Sequence, residues 1–337
     1  MDPERTSLVM AGPQAGQSTN SVQGFDDRHN TPSVSVVIPV YDRPGMATEA
    51  VRSVLFQSYP HLECILVDDG SRKPPAEAER LFSADPRFRY KRIAHTGMAG
   101  AVRNCGVREA RYDLIAFLDS DDIWLPDKLE RQIGLPASSP GLEDRQDLAK
   151  NFVLIHTREV WLRGEKVISQ KTQRHRRHGN VFADALEKCM IGPSTVLMRK
   201  AVFEELGGFR EDLEIAEDYE FWLRLTAIHQ VEYIDTPLVV KRAGHGEQLS
   251  EKYGQIEIFR LTGLHDLVRS GWFIKNCPGG GDKAEKQNSC PELVHNLAAA
   301  ELARKAGIYA AGSRKRGRME EADRYEQLAR KFASSSK

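Results

Sequence analysis

From Val34 onward, short unbroken apolar runs alternate with segments whose apolar residues recur every three or four positions. VSVVIPV (34–40) is mostly β-branched and predicts a strand buried on both faces. The turn YDRPG (41–45) follows. Met46, Ala47, Ala50, Val51, Val54 and Leu55 then keep helical spacing, with an end near Tyr59-Pro60. LECILVDDGS (62–71) predicts a second strand that closes in carboxylates and Gly70. A polar helix over about 75–83 and a short strand, FRYKRI (88–93), come next. In TGMAGAVRNCGVREA (96–110), Met98, Val102 and Cys105 share one helical face. DLIAFLDSDD (113–122) predicts a further strand, and PDKLERQI (126–133) a helix with Pro126 in its first turn. This alternation predicts an α/β fold with a parallel sheet in the first half.

The second half has a different rhythm. NFVLIHTREVWLRGEKVIS (151–169) predicts a β-hairpin turning at Arg163-Gly164. MIGPSTVLMRKAVFEELGGF (190–209) reads as a strand, a short helix and a paired-glycine turn. EIAEDYEFWLRLTAI (214–228) predicts a helix with Phe221, Leu225 and Ile228 as its apolar stripe, and VEYIDTPLVVKR (231–242) a strand. Residues 1–31 are rich in Gly, Ser, Gln, Asn and Asp without apolar period, and are expected to be a disordered leader. After a helix within 251–275 and a Gly-rich linker at 276–291, residues 292–332 predict a helical hairpin. Leu293 and Leu297 mark its first helix, Gly312 and Gly317 its turn, and Tyr325, Leu328 and Phe332 its second helix, before a tail at 333–337.

Composition narrows the partners more than the fold. Lys+Arg and Asp+Glu both number 48, so no whole-chain field favours nucleic acid, and none is expected as a partner. Cys64, Cys105, Cys189, Cys277 and Cys290 are scattered, without a C-x-x-C pair or a dense disulfide framework, which fits a reducing compartment. The first residues have acidic groups where a signal peptide needs basic ones, and no run approaches the ~20 apolar residues of a membrane span. A cytoplasmic protein is expected, touching any membrane-bound acceptor from outside the bilayer. The basic runs KTQRHRRHG (171–179) and RKRGR (314–318) read as solvated segments.

In parallel α/β sheets, ligands bind beyond the carboxyl ends of the strands. Three strands here end in polar clusters: Tyr41-Asp42, Asp68-Asp69-Gly70-Ser71 and Asp119-Ser120-Asp121-Asp122. Crowded carboxylates raise one another's pKa unless a cation or a hydrogen-bond network relieves them. Asp119 and Asp121 at i, i+2 can aim their oxygens into one crevice as ligands for a hard divalent cation, or Asp-Ser-Asp-Asp can simply cap the following segment. VDDGS likewise is either a good turn or a nucleobase acceptor with Tyr41 over the ring.

Taken in order, VSVVIPVYDRP, SVLFQSYPHLECILVDDGS, GMAGAVRNCGV, FLDSDDIWLPDKLE and AEDYEFWLRL resemble the family 2 glycosyltransferases, of GT-A fold, over residues 33–250. STVLMRKAVFEELGGF is similar to that family's acceptor-side segment. The resemblance implies a GT-A domain over 32–250, with a nucleotide-sugar half at 32–135 and an acceptor half at 151–250. It implies donor contacts from Pro39, Tyr41, Asp68, Asp69, Arg103 and Asp119, while Asn104 orders local backbone. Asp121 would be the main ligand of Mg²⁺ or Mn²⁺, joined by Asp119 and by His245 from the loop AGHGEQLS. Asp218, with Glu217 beside it, would be the base that takes the acceptor's proton in an inverting displacement, and a helix start favours its ionised form. The partners implied are a nucleotide-diphosphate sugar, UDP-linked on this expectation, and a glycan or lipid-linked acceptor. Residues 292–332 are the candidate oligomer interface.

Two alternatives have sequence tests. A sugar-1-phosphate nucleotidyltransferase needs a Gly-rich, Arg/Lys-bearing loop after its first strand, which PVYDRPG lacks. A nucleotide-sugar-binding protein without chemistry would be marked by a lost acid, yet Asp69, Asp121 and Asp218 are all present. GMAGAVRNCG also lacks the G-x-G-x-x-G spacing of dinucleotide binders.

Overall fold

The computed structural model describes residues 31–134, 152–164, 166–168, 178–244, 256–278 and 290–333. His245, most of the leader, the basic run up to 177, most of the Gly-rich linker and residues 334–337 lie outside the described residues.

Nine strands among the described residues form one sheet: β1 (Val34–Val40), β2 (Leu62–Asp68), β3 (Phe88–Arg92), β4 (Leu114–Phe117), β5 (Asp122–Trp124), β6 (Leu154–Arg163), β7 (Lys166–Ile168), β8 (Leu197–Arg199) and β9 (Glu232–Ala243). Their order is β3-β2-β1-β4-β8-β6-β9-β5, with β7 hairpinned onto β6. The β3-β2-β1-β4 half is parallel, as the alternation predicts. Beyond β4 the sheet is mixed: β8 runs antiparallel to both β4 and β6, while β6 and β9 are parallel. The switch at β4 opens the rim on which the acids collect.

The unbroken apolar runs follow from two separate cores. Val34, Val36, Ile38 and Val40 of β1 point to one face, with Ala47, Ala50, Val51 and Val54 of α1 (Pro44–Leu55). Val37 points to the other, with Val102 and Cys105 of α3 (Ala99–Glu109), which follows α2 (Ala76–Phe82) in the chain. Gly106 lets α3 lie against β1, since a Cβ there would come 2.2 Å from Val37 Cγ1. The chain continues through α4 (Lys128–Gly134), α5 (Phe182–Glu187) and α6 (Lys200–Glu205) to α7 (Glu217–Ile228), whose Phe221, Trp222 and Leu225 join the second core. Then α8 (Ile256–Arg269), α9 (Trp272–Asn276), α10 (Pro291–Lys315) and α11 (Met319–Ala333) extend that core.

Three expectations need correction. The strand expected over 113–122 stops at Phe117, where the chain turns so that Asp122 N donates to Asp119 O (2.9 Å), and Asp122 begins β5 instead. α4 starts at Lys128, with Pro126 in the preceding turn. Gly312 lies inside α10, and the turn falls at Gly317, whose φ is +76°. Leu293 and Leu297 lie in the first helix of the hairpin as expected, 49% and 41% exposed, while Val294, Ala298 and Leu302 form the buried face of α10.

Candidate active site

The three strand ends and the start of α7 meet at one rim. Tyr41 follows β1 and stacks on His95, with ring centroids 4.2 Å apart and planes at 19°. Pro39, in β1, pairs in register with Val67 and sits half-buried behind this step. Asp68 and Asp69 are buried and heavily engaged. Asp68 accepts from Ser71 N and from the Tyr90 hydroxyl, both at 2.8 Å. Asp69 Oδ1 accepts from Thr96 N (2.7 Å) and Thr96 Oγ1 (2.9 Å), and its Oδ2 accepts from Gly97 N (2.9 Å) with His95 Nδ1 at 3.0 Å. These carboxylates therefore tie the loop after β3 to the end of β2. Gly70, with φ +69°, permits the approach: a Cβ there would lie 2.8 Å from His95 N.

Asp119, Asp121 and Asp122 each bring one carboxylate oxygen within 4.8 Å of the others. Three hard oxygen donors in one crevice fit a Mg²⁺ or Mn²⁺ ion. Each acid also has a cationic neighbour. Arg103 Nη2 donates to Asp119 (2.6 Å), Arg43 Nη1 donates to Asp121 Oδ2 (2.8 Å), and Lys241 Nζ lies 3.6 Å from Asp122. Ser194 organises the turn by donating to Asp122 (2.6 Å) while accepting from Asp119 N (3.0 Å). Arg242 Nε donates to the Asp121 carbonyl (2.6 Å). Burial pushes Asp122 up to about 7, with Lys241 pulling down and Asp119 and Asp121 pushing up. Burial acts on Asp119 too, yet Arg103 and Lys241 hold it below the usual carboxylate range.

The residue expected beside the nucleotide, Arg103, is turned between two acids. Its Nη1 donates to Glu217 (2.5 Å) while Nη2 holds Asp119, so a buried guanidinium joins the acid cluster to α7. Asn104 orders local backbone, donating to Phe209 O (2.8 Å) and accepting from Phe209 N (3.0 Å). Burial and the charge of Asp218 raise Glu217 to about 7, although Arg103 opposes them. α7 opens from Ala216, a non-glycine residue at φ +66°. Asp218 is half-buried. Its Oδ1 accepts from Tyr219 N (2.7 Å) and its Oδ2 lies 3.6 Å from Cys189 Sγ.

Sequence reasoning missed Arg43, His95, Cys189, Ser194 and Lys241. Arg43 stands in the quoted YDRPG turn and Lys241 ends the apolar run PLVV, but neither pattern names the acid it reaches.

S. aureus TarS 1-349 in complex with UDP-GlcNAc superimposes with a TM-score of 0.57 at 16% identity, covering 90% of this chain and 92% of that one. The fold is GT-A. Residues 35–139 match Glycosyl transferase family 2. An uncharacterized glycosyltransferase of Rickettsia felis is 33% identical over 218 residues, covering 65% of this chain and 34% of that protein. The chain thus spans about a third of the length of such relatives. The Escherichia coli UDP-Glc:alpha-D-GlcNAc-diphosphoundecaprenol beta-1,3-glucosyltransferase WfgD is 27% identical over 209 residues, covering 62% of this chain and 76% of that protein. Residues 35–139 thus carry the family 2 glycosyltransferase match, and the chain is similar to glycosyltransferases over about 65% of its length.

Proposed function

We propose that the protein is an inverting glycosyltransferase that moves a sugar from a UDP-linked donor to a hydroxyl of a glycan or lipid-linked acceptor. One observation carries this most directly: Arg103 joins Asp119, in the acid cluster, to Glu217, the residue before Asp218. The acid cluster and the start of the helix that carries the candidate base are thereby held together.

Tyr41 offers an aromatic face to a nucleobase, braced from behind by His95. Asp121 and Asp119 would hold Mg²⁺ or Mn²⁺. When bound, the ion neutralises charge that builds on the departing diphosphate. Asp218 takes the acceptor's proton as the new bond forms opposite the leaving group. Glu217, gripped by Arg103, fixes the first turn of α7 and hence the position of that carboxylate. The WfgD name couples a UDP-sugar to a diphosphoundecaprenol-linked sugar, which supports a UDP-linked donor and a lipid-linked acceptor here. Among the described residues no helix is long and apolar enough to cross a membrane. A cytoplasmic enzyme reaching a membrane-held acceptor is consistent with that.

Calorimetry of UDP with and without Mn²⁺, on wild type and Asp121→Ala, tests the donor site, and donor turnover by Asp218→Asn tests the base. Metal-dependent UDP binding lost in Asp121→Ala, with turnover at least about 100-fold lower in Asp218→Asn, is the expected result. Failure to bind UDP, GDP and dTDP alike would sink the transferase proposal.

A further inference from the structure

We infer that Lys128 is a positioning residue for the acid cluster: with Trp124 and Gln132 it fixes the segment 194–196, which carries Ser194. The cation role of that cluster rests on the proposed function above. Lys128 has no solvent contact at all. Its amine donates to Gln132 Oε1 (2.7 Å), reaches Val196 O at 3.4 Å and lies 3.9 Å from the centre of the Trp124 ring. Among the described residues no carboxylate pairs with it. Lysine is almost never buried whole without such a partner, because taking the amine out of water is costly. Burial pulls its pKa well below the ordinary lysine value. A methionine would fill the same space without that cost, so the amine contributes through its hydrogen bonds.

Those bonds share a target. Trp124 Nε1 donates to Ser194 O (2.8 Å), Gln132 Nε2 to Thr195 O (3.0 Å) and the Lys128 amine to Val196 O. Three successive carbonyls are thus taken by three buried side chains of one stretch, Trp124 to Gln132, just past the acids. Gln132 Nε2 also donates to Ile155 O of β6 (2.9 Å). Only one orientation of that amide suits all its neighbours, since both carbonyls accept and the amine donates. Lys128 therefore sets which way Gln132 faces.

Ser194 passes this order to the acids. Its hydroxyl donates to the Asp122 carboxylate (2.6 Å) and accepts from Asp119 N (3.0 Å), so a shift of 194–196 moves both ends of the acid turn. Lys128 touches no acid itself and acts through Val196, Gln132 and Trp124.

Hydrogen–deuterium exchange of the full chain, read by mass spectrometry, tests the positioning without any metal. In Lys128→Met, exchange across 117–124 and 193–199 should be at least about tenfold faster than in wild type, while β1 keeps its rate. Mn²⁺ titration with UDP present, read by the paramagnetic resonance of the free ion, tests the consequence. Mn²⁺ should bind the variant about tenfold more weakly, the loss typical of removing a group that orients metal ligands. Trp124→Phe keeps an aromatic ring beside the amine and removes the donor to Ser194 O, so it repeats both measurements should Lys128→Met fail to fold. Exchange that quickens equally in β1 would make Lys128 a packing residue and overturn the inference. Unchanged Mn²⁺ affinity in a variant whose 117–124 segment opens would overturn it too, as would unchanged exchange in both variants. A wild type that binds no Mn²⁺ with UDP present would sink the cation reading alone, and faster local exchange in the variants would still support the positioning.

Discussion

Replacing Arg103 by Met removes the one group that holds Asp119 and Glu217 at once. Both carboxylates keep their places, because Asp119 N is anchored on Ser194 and Glu217 is set by α7. Breaking a buried ion pair from one side costs about 3–5 kcal/mol. A domain holds only about 5–15 kcal/mol in total. A loss of about 4 kcal/mol is therefore expected at pH 8. The loss must also depend on pH. Glu217 is raised from 4.5 to about 7 in the folded protein, so the folded state holds more protons than the unfolded state between those values. Its contribution is present below the unfolded value and falls as pH rises through about 7. Without Arg103 the pKa rises further, and the falling stretch extends above 7, where wild type is flat for this group. Each unit of extension is worth about 1.4 kcal/mol. Urea denaturation at pH 6 and pH 8 measures both effects, and the deficit of Arg103→Met should be at least about 1 kcal/mol smaller at pH 6. Glu217→Gln placed on Arg103→Met should recover much of the difference at pH 8. A deficit below about 1 kcal/mol, or one independent of pH, would show that the carboxylates do not depend on this guanidinium.

Two further substitutions test separate parts of the cleft. Gly106→Ala should cost about 1–3 kcal/mol in urea melts despite alanine's better helix propensity, because its Cβ would meet Val37 Cγ1 at 2.2 Å; Val37→Ala in the same chain should restore part of it. Cys189 carries a thiol 3.6 Å from Asp218 Oδ2, so Cys189→Ala should lower kcat about threefold to tenfold with the donor KM unchanged, while Cys189→Ser, which keeps a donor, should stay near wild type.

The strands were legible because burial on two faces demands unbroken apolar runs, and VSVVIPV has no competing helical reading. The helices packed on them were legible by period. β5 was not, since three residues of which the first is itself a clustered acid carry no pattern, and only pairing with β9 makes Asp122–Trp124 a strand. Leu293 and Leu297 marked α10 but not its buried face, which small residues form where another helix comes close, as with Val294, Ala298 and Ala299. In the cleft, residue type was readable and partner was not. Asp68 and Asp69 stood out as acids at a strand end, but their ties to Tyr90, Thr96 and Gly97 depend on where the loop after β3 returns. Arg103 and Glu217 meet across 114 positions, a contact no local spacing announces.

Those long-range contacts explain how an apolar strand tolerates a crowd of acids at its end. Asp119 has Arg103, Asp121 has Arg43, and Asp122 has Lys241 and the Ser194 hydroxyl, while Glu217 shares Arg103. Three cations facing four carboxylates offset most of the acids' charge, which weakens the pull of the cluster on a lone divalent cation without abolishing it. The pull on a lone diphosphate is weakened as well, because each cation faces an acid. On the proposed function a cation would draw on the carboxylates and a diphosphate on the cations paired with them, so the two arriving together would act on both sides of the pairing at once. Departure of both would let the internal pairs re-form, so the same pairing that weakens binding of either component alone would favour release of the product.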